Sequence, residues 1–90
     1  MTLHIKVFGY VQGVLFRRYA KGLADDLGLV GWIKNNQDGS VETEAEGAKE
    51  DLEKFLSWCR KGPLLAQVEK VEVKWDKASG KFKTFEVLYG

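Results

Sequence analysis

Over residues 3–7 the chain alternates with period two, Leu3, Ile5 and Val7 on one side and His4, Lys6 and Phe8 on the other. Successive side chains of a strand point to opposite faces, so this pattern predicts a first strand with one face buried. The period then changes: Phe16, Ala20, Leu23, Ala24 and Leu27 recur at helical spacing, and Gly28 stands where a helix commonly ends in a left-handed turn. Val30–Asn35 and Val41–Glu46 predict a hairpin across Asn36-Gln37-Asp38-Gly39, with Val41, Thr43 and Ala45 alternating against a solvent-facing row of Glu42, Glu44 and Glu46. A second helix is expected over residues 48–61, with Leu52, Phe55, Leu56 and Cys59 on its apolar stripe. Glu50 and Asp51 in its first turn and Arg60 and Lys61 in its last suit the helix dipole, and Gly62-Pro63 stops it. Val71, Val73 and Trp75 alternate with Glu72, Lys74 and Asp76 as a further strand, Ala78-Ser79-Gly80 reads as a turn, and Phe85, Val87 and Tyr89 as a short closing strand.

The order strand, helix, strand, strand, helix, strand, with a terminal strand added, is that of an α+β, ferredoxin-like split βαβ sandwich. The expectation is one domain over residues 1–90, with a mainly antiparallel sheet of four to five strands and two helices on one face.

Composition narrows the function classes. Fourteen Lys and Arg against thirteen Asp and Glu leave a formal charge of +1, so no overall field gathers nucleic acid or anionic membrane, and any anion site must be local. The lone Cys59 excludes an internal disulfide, and one Cys with one His cannot supply the four protein ligands of a structural zinc site. A reducing compartment fits, no apolar run approaches the roughly 20 residues of a spanning helix, and residues 1–6 lack the apolar stretch of a signal peptide. The chain is therefore expected in the cytoplasm, with no membrane and no nucleic acid as partner.

The candidate chemistry lies between the first strand and the first helix, in Gly9-Tyr10-Val11-Gln12-Gly13-Val14-Leu15-Phe16-Arg17. A loop curling into a helix N-terminus meets unpaired N–H groups and the positive end of the dipole, which suits an anion. Gly13 can turn successive N–H groups inward, and Arg17 can fork onto two phosphate oxygens. Loop geometry alone leaves open that Gly9 and Gly13 are turn glycines and Arg17 a solvated helix residue. The run is neither a Walker loop, for no Gly-Lys-Ser/Thr follows, nor a dinucleotide fingerprint, for the glycine spacing differs. Asn35 by itself reads equally as a residue flanking a hairpin turn.

The run from Gly9 to Arg17 resembles the signature of the acylphosphatase family, Gly-x-Val-Gln-Gly-Val-x-Phe-Arg. Gly31-Trp32-Ile33-Lys34-Asn35 with Asp38-Gly39-Ser40-Val41 is similar to the family's second motif, and Gly62-Pro63 with Ala66 and Val68 to its segment after the second helix. The resemblance implies a hydrolase that cleaves carboxyl-phosphate mixed anhydrides without metal or other cofactor. Arg17 and the N–H groups of Gln12, Gly13, Val14, Leu15, Phe16 and Arg17 would bind the phosphoryl group, and Asn35 would orient the attacking water. The implied partners are a small acyl phosphate as substrate and inorganic phosphate as product, handled by a monomer. Two other readings stay open: a non-catalytic ferredoxin-like module binding an anion or RNA, and the acylphosphatase-like domain of larger carbamoyl-transfer proteins.

Other reactive residues are assigned to structure. Cys59 lies on the apolar stripe with no Cys-x₅-Arg loop and is expected in the core. His4 is expected on a sheet face with no evident partner, and Trp32, Trp75, Phe8 and Tyr89 in packing. Lysines from Lys77 to Lys83 are expected on an exposed turn.

Overall fold

The computed structural model describes residues 1–89; Gly90, the last residue of the expected domain, lies outside the described residues. Seven elements follow one another: β1 (Thr2–Tyr10), α1 (Phe16–Asp26), β2 (Val30–Asn35), β3 (Val41–Glu46), α2 (Lys49–Lys61), β4 (Gln67–Asp76) and β5 (Phe85–Leu88). The five strands form one sheet in the order β4-β1-β3-β2-β5. Pairs β1/β3, β1/β4 and β2/β3 are antiparallel, and β2/β5 is parallel. The architecture is the α+β, ferredoxin-like one that the order of elements predicts.

The predicted periodicities become the core. Leu3, Ile5 and Val7 of β1 and Val41, Thr43 and Ala45 of β3 are fully buried on one sheet face. Against that core lie Phe16, Ala20 and Ala24 from α1 and Leu52, Phe55 and Cys59 from α2. Burial pushes the Cys59 thiol up, away from the reactive thiolate, as its place on the apolar stripe predicts. Phe16, the first residue of α1, is 2% exposed and meets Trp58 of α2 edge-on, with ring centroids 5.1 Å apart. Truncating such a ring to Ala costs about 3–5 kcal/mol, so the start of α1 is firmly held.

Because β1 and β2 both run against β3, they run parallel to each other, and their carboxyl ends share one edge of the sheet. β1 runs past the alternating segment to Tyr10, since its ladder with β4 continues to Tyr10↔Gln67 through a register shift between Phe8 and Gly9. Gly9 is required there. Its φ is 127°, and a Cβ on it would lie 2.2 Å from the carbonyl oxygen of Gln67.

Four expectations need correction, each for a reason of tertiary packing. Residues 77–84 form no tight Ala78-Ser79-Gly80 turn but an irregular segment that carries the chain from β4 at one edge of the sheet to β5 at the other. The Glu row of β3 is not freely solvated: Glu46 is buried and holds that segment, while Glu42 is partly covered. His4 does have a partner, the carboxylate of Glu42 across the β1/β3 pair. Tyr89 lies beyond β5 and is 80% exposed, so it packs in no core.

Candidate active site

At the edge where β1 and β2 end, a cleft of about 440 Å³ is lined by Gly13, Leu15, Arg17, Asn35, Val87 and Tyr89, among others. It unites two segments that are distant in sequence: the loop after β1 and the last residue of β2.

The loop is anchored from below and open above. Val11 and Val14 are buried at 1% and 5% exposure, whereas Gly13 and Leu15 face outward. Gly13 (φ 75°) and Leu15 (φ 65°) are both left-handed and bracket Val14, an alternation that turns successive N–H groups to one side. Leu15 is the one positive-φ residue among the described residues that is not glycine, a conformation costing about 1–2 kcal/mol for a side chain. No side chain caps the N-terminus of α1. Among the described residues, no turn, loop or cap hydrogen bond uses an N–H group of residues 12–17. A buried loop would satisfy these donors within the protein; here, at the mouth of the cleft, they are open to solvent or to an anion. Phe16 and Val14 put their side chains into the core and can offer an anion only their backbone.

Arg17 reaches the cleft from the first turn of α1. Its guanidinium lies 4.9 Å from the centre of the Tyr89 ring, and Nη1 donates to the carbonyl oxygen of Leu88 at 3.4 Å. Among the described residues it has no carboxylate partner, and Leu88 O is the one hydrogen-bond acceptor it meets. Asn35 closes β2 opposite Val41. Its Oδ1 is buried and has no hydrogen-bond partner among the described residues. An orphaned buried acceptor costs about 1–3 kcal/mol and calls for an explanation outside the protein's own groups.

The turn from Asn36 to Ser40 is tightly closed. Asn36 N–H donates to Ser40 O at 2.9 Å, and Ser40 N–H donates to Asp38 Oδ1 at 2.9 Å. Hydrogen bonds from Ser40, aided by Lys6, hold the Asp38 carboxyl below its ordinary value. Partial burial opposes ionisation of Glu42, but hydrogen bonds from His4 and Asn36 outweigh it and bring its carboxyl below the usual range.

Of the residues that the sequence singled out, Gly13, Leu15, Phe16, Arg17 and Asn35 line one cleft, whereas Val14 is buried beneath it and the Gln12 side chain turns to the carbonyls of Asn36 and Ser40. The sequence did not point to Arg18, which also lines the cleft, or to three further neighbours of Arg17. Lys21 lies one helical turn beyond Arg17 and lines the cleft, with Nζ on Asp25 Oδ2 at 3.0 Å and Phe85 O at 2.9 Å. Its i,i+4 spacing from Arg17 was a readable signal. Tyr89 and Leu88 were not readable as neighbours of Arg17, since β5 reaches them only by crossing the sheet. Among the described residues, no carboxylate, histidine or hydroxyl of Ser or Thr lines the cleft, and no group of three or more His, Cys, Asp or Glu could hold a metal ion.

Comparisons with known proteins agree on the fold and on one family. The sequence model of the family described as Acylphosphatase matches residues 3–87. An acylphosphatase of Roseiflexus sp. is 41% identical over 86 residues, covering 96% of this chain and 92% of that protein. The crystal structure of acylphosphatase from Bacillus subtilis superposes with a TM-score of 0.93 at 34% identity, covering 98% of each chain. T. kodakarensis HypF superposes with a TM-score of 0.83 at 34% identity over all of this chain and 12% of that one.

Proposed function

The chain belongs to the acylphosphatase family, and we propose that it works through two groups, Arg17 holding the phosphoryl group and Asn35 holding the attacking water. Its reaction is hydrolysis of a carboxyl-phosphate mixed anhydride to a carboxylate and inorganic phosphate. The observation that carries the proposal is that one cleft holds Asn35, whose Oδ1 has no hydrogen-bond partner among the described residues, and Arg17, which has no carboxylate partner among them. A carboxamide oxygen accepts one hydrogen of a water and aims its lone pair, while the planar guanidinium forks onto two phosphoryl oxygens. The N–H groups of Gln12, Gly13, Val14, Leu15, Phe16 and Arg17 complete the cradle for charge that grows on those oxygens.

Among the described residues no carboxylate, histidine or Ser/Thr hydroxyl lines the cleft, and the Lys21 amine is committed to Asp25 and the Phe85 carbonyl, so no covalent nucleophile and no strong general base is assigned. That is sufficient for an acyl phosphate. Its leaving carboxylate needs no protonation, so positioning and electrostatics supply the catalysis, and no metal is called for. An alkyl phosphate monoester would expel an alkoxide and needs an acid that this cleft does not provide.

The same reading extends to one domain over residues 1–90, acting as a cytoplasmic monomer. The buried, unpaired Cys59 supports a reducing compartment. Among the described residues no helix is long and apolar enough to cross a membrane.

The test is hydrolysis of benzoyl phosphate by the purified protein in EDTA, beside a simple alkyl phosphate. Cleavage of the anhydride alone, undiminished by EDTA, is expected. Comparable cleavage of the ester, or activity that EDTA abolishes, overturns the mechanism.

A further inference from the structure

The phosphate loop and Asn35 are not neighbours in the sheet. β3 lies between the strands that carry them, so two interstrand spacings, about 10 Å, separate the end of β1 from the end of β2. An in-line attack needs water and phosphorus aligned to within a fraction of an ångström. Something other than strand pairing must fix the loop against Asn35.

The side chain of Gln12 spans that gap. Its Nε2 donates to Asn36 O at 2.8 Å and to Ser40 O at 2.9 Å, using both amide hydrogens. Those carbonyls flank the turn that follows Asn35, and each also accepts a backbone hydrogen bond, from Gly39 N–H at 3.2 Å and Asn36 N–H at 2.9 Å respectively. The turn is rigid in its own right: Asn36 Nδ2 donates to Ser40 Oγ and to Glu42 Oε1, each at 3.0 Å. Among the described residues, Gln12 is the one loop side chain that hydrogen-bonds to this turn. It stands immediately before Gly13, where the loop turns left-handed. Its side chain therefore links the start of the anion cradle to the residue after Asn35.

We infer that Gln12 is a positioning residue, whose amide sets the distance between the phosphate loop and Asn35 and so aligns the water with phosphorus. The inference rests on the proposed role of Asn35. It assigns to the Gln12 side chain a task separate from the contribution of its backbone N–H.

Gln12→Met keeps the length and removes both donors; Gln12→Asn keeps the amide but is one methylene too short to reach both carbonyls. For each, kcat on benzoyl phosphate, the inhibition constant of inorganic phosphate and the thermal midpoint are measured, in the wild-type and the Asn35→Ala backgrounds. The expected result is a fall in kcat of about 10- to 100-fold in either variant, with phosphate inhibition changed by less than about threefold. In the Asn35→Ala background, where no held water is left to misalign, the same substitution costs less than about threefold. A merely structural tie would lower kcat equally in both backgrounds or weaken phosphate binding in parallel, and either result overturns the inference. If Gln12→Met does not fold, Gln12→Asn carries the same comparison. Wild-type cleavage that is indifferent to Asn35→Ala would instead sink the parent reading of Asn35.

Discussion

The two ends of the sheet treat polar groups in opposite ways. Where β1 begins and β3 ends, the Glu46 carboxylate is saturated: Thr2 Oγ1, Ser79 N–H, Ser79 Oγ and Gly80 N–H all donate to it, at 2.6 to 3.0 Å. Where β1 and β2 end, Asn35 Oδ1 is buried without a partner, Arg17 has no counter-charge and the loop N–H groups are uncommitted, among the described residues. Both ends carry a strained or irregular backbone, so irregularity does not separate them. Satisfaction does. A polar network complete within the protein stabilises a segment, whereas one complete only with a ligand describes the ligand.

Substitutions at the open end have the largest expected effects, and on activity rather than on folding. Arg17→Gln removes the charge and the fork together; kcat/KM on benzoyl phosphate is expected to fall by about 10³-fold or more, with competition by inorganic phosphate weakened in parallel. Lys at this position restores charge without the planar fork and recovers little. Asn35→Ala is expected to lower kcat by about 10²- to 10³-fold while phosphate still competes nearly as well. Equal loss of phosphate binding in both variants would break the division of labour between them. Asn35→Ala also removes an orphaned buried acceptor, so its thermal midpoint should not fall as its activity does.

How much of this was readable in the sequence follows from the kind of order each feature depends on. Leu3, Ile5 and Val7, or Leu52, Phe55 and Cys59, declare their burial through a period of a few residues, and the helices and strands were legible for that reason. Arg17 and Asn35 were legible as matched motif positions, and the parallel run of β1 and β2 then brings them to one edge. The partners of side chains were not legible. His4 on Glu42, Gln12 on Asn36 and Ser40, Glu46 on Ser79, and Arg17 beside Tyr89 join residues 24 to 72 positions apart. Such contacts depend on strand register and on the crossing of residues 77–84, neither of which leaves a local period. The row of glutamates on β3 shows the limit well: one alternating pattern contains a half-covered Glu42 bound to His4 and a buried Glu46 bound to a loop.

At the closed end the expected effects are on stability and on its pH dependence. Hydrogen bonds from the Ser79 backbone and hydroxyl, with those from Thr2 and Gly80, bring the Glu46 carboxyl from 4.5 down to about 2. A depressed folded-state value means that the unfolded chain binds the proton more readily, so this contribution is complete above about 4.5 and is lost as pH falls towards 2. Urea midpoints measured across that window should decline in the native protein. Glu46→Gln, which turns an amide towards donors that need an acceptor, should be less stable at neutral pH and should decline less steeply on acidification. Benzoyl phosphate turnover at neutral pH should survive this substitution better than Arg17→Gln, because residues 77–84 touch the cleft only through β5. A decline as steep as that of the native protein would place the acid-sensitive group elsewhere.

The smallest expected effect is at Leu15, where the open end carries backbone strain; its carbonyl accepts from Tyr19 N–H at 3.2 Å, while among the described residues its own N–H has no turn, loop or cap partner. Leu15 is 56% exposed and left-handed, so its side chain contributes little packing to offset the cost of its conformation. Gly adopts the same angles freely but loses more entropy on folding, and the two terms nearly cancel; Leu15→Gly should shift stability by less than about 1 kcal/mol. Leu15→Val places a β-branched side chain at positive φ and should cost about 1–2 kcal/mol in urea denaturation. If the loop is shaped for an anion, inorganic phosphate binds only the form with its N–H groups gathered, and saturating phosphate should recover part of the stability lost in Leu15→Val while stabilising the native protein as well. A Leu15→Val substitution that costs nothing and leaves phosphate binding unchanged would mean that the left-handed turn at this position is not what shapes the cradle.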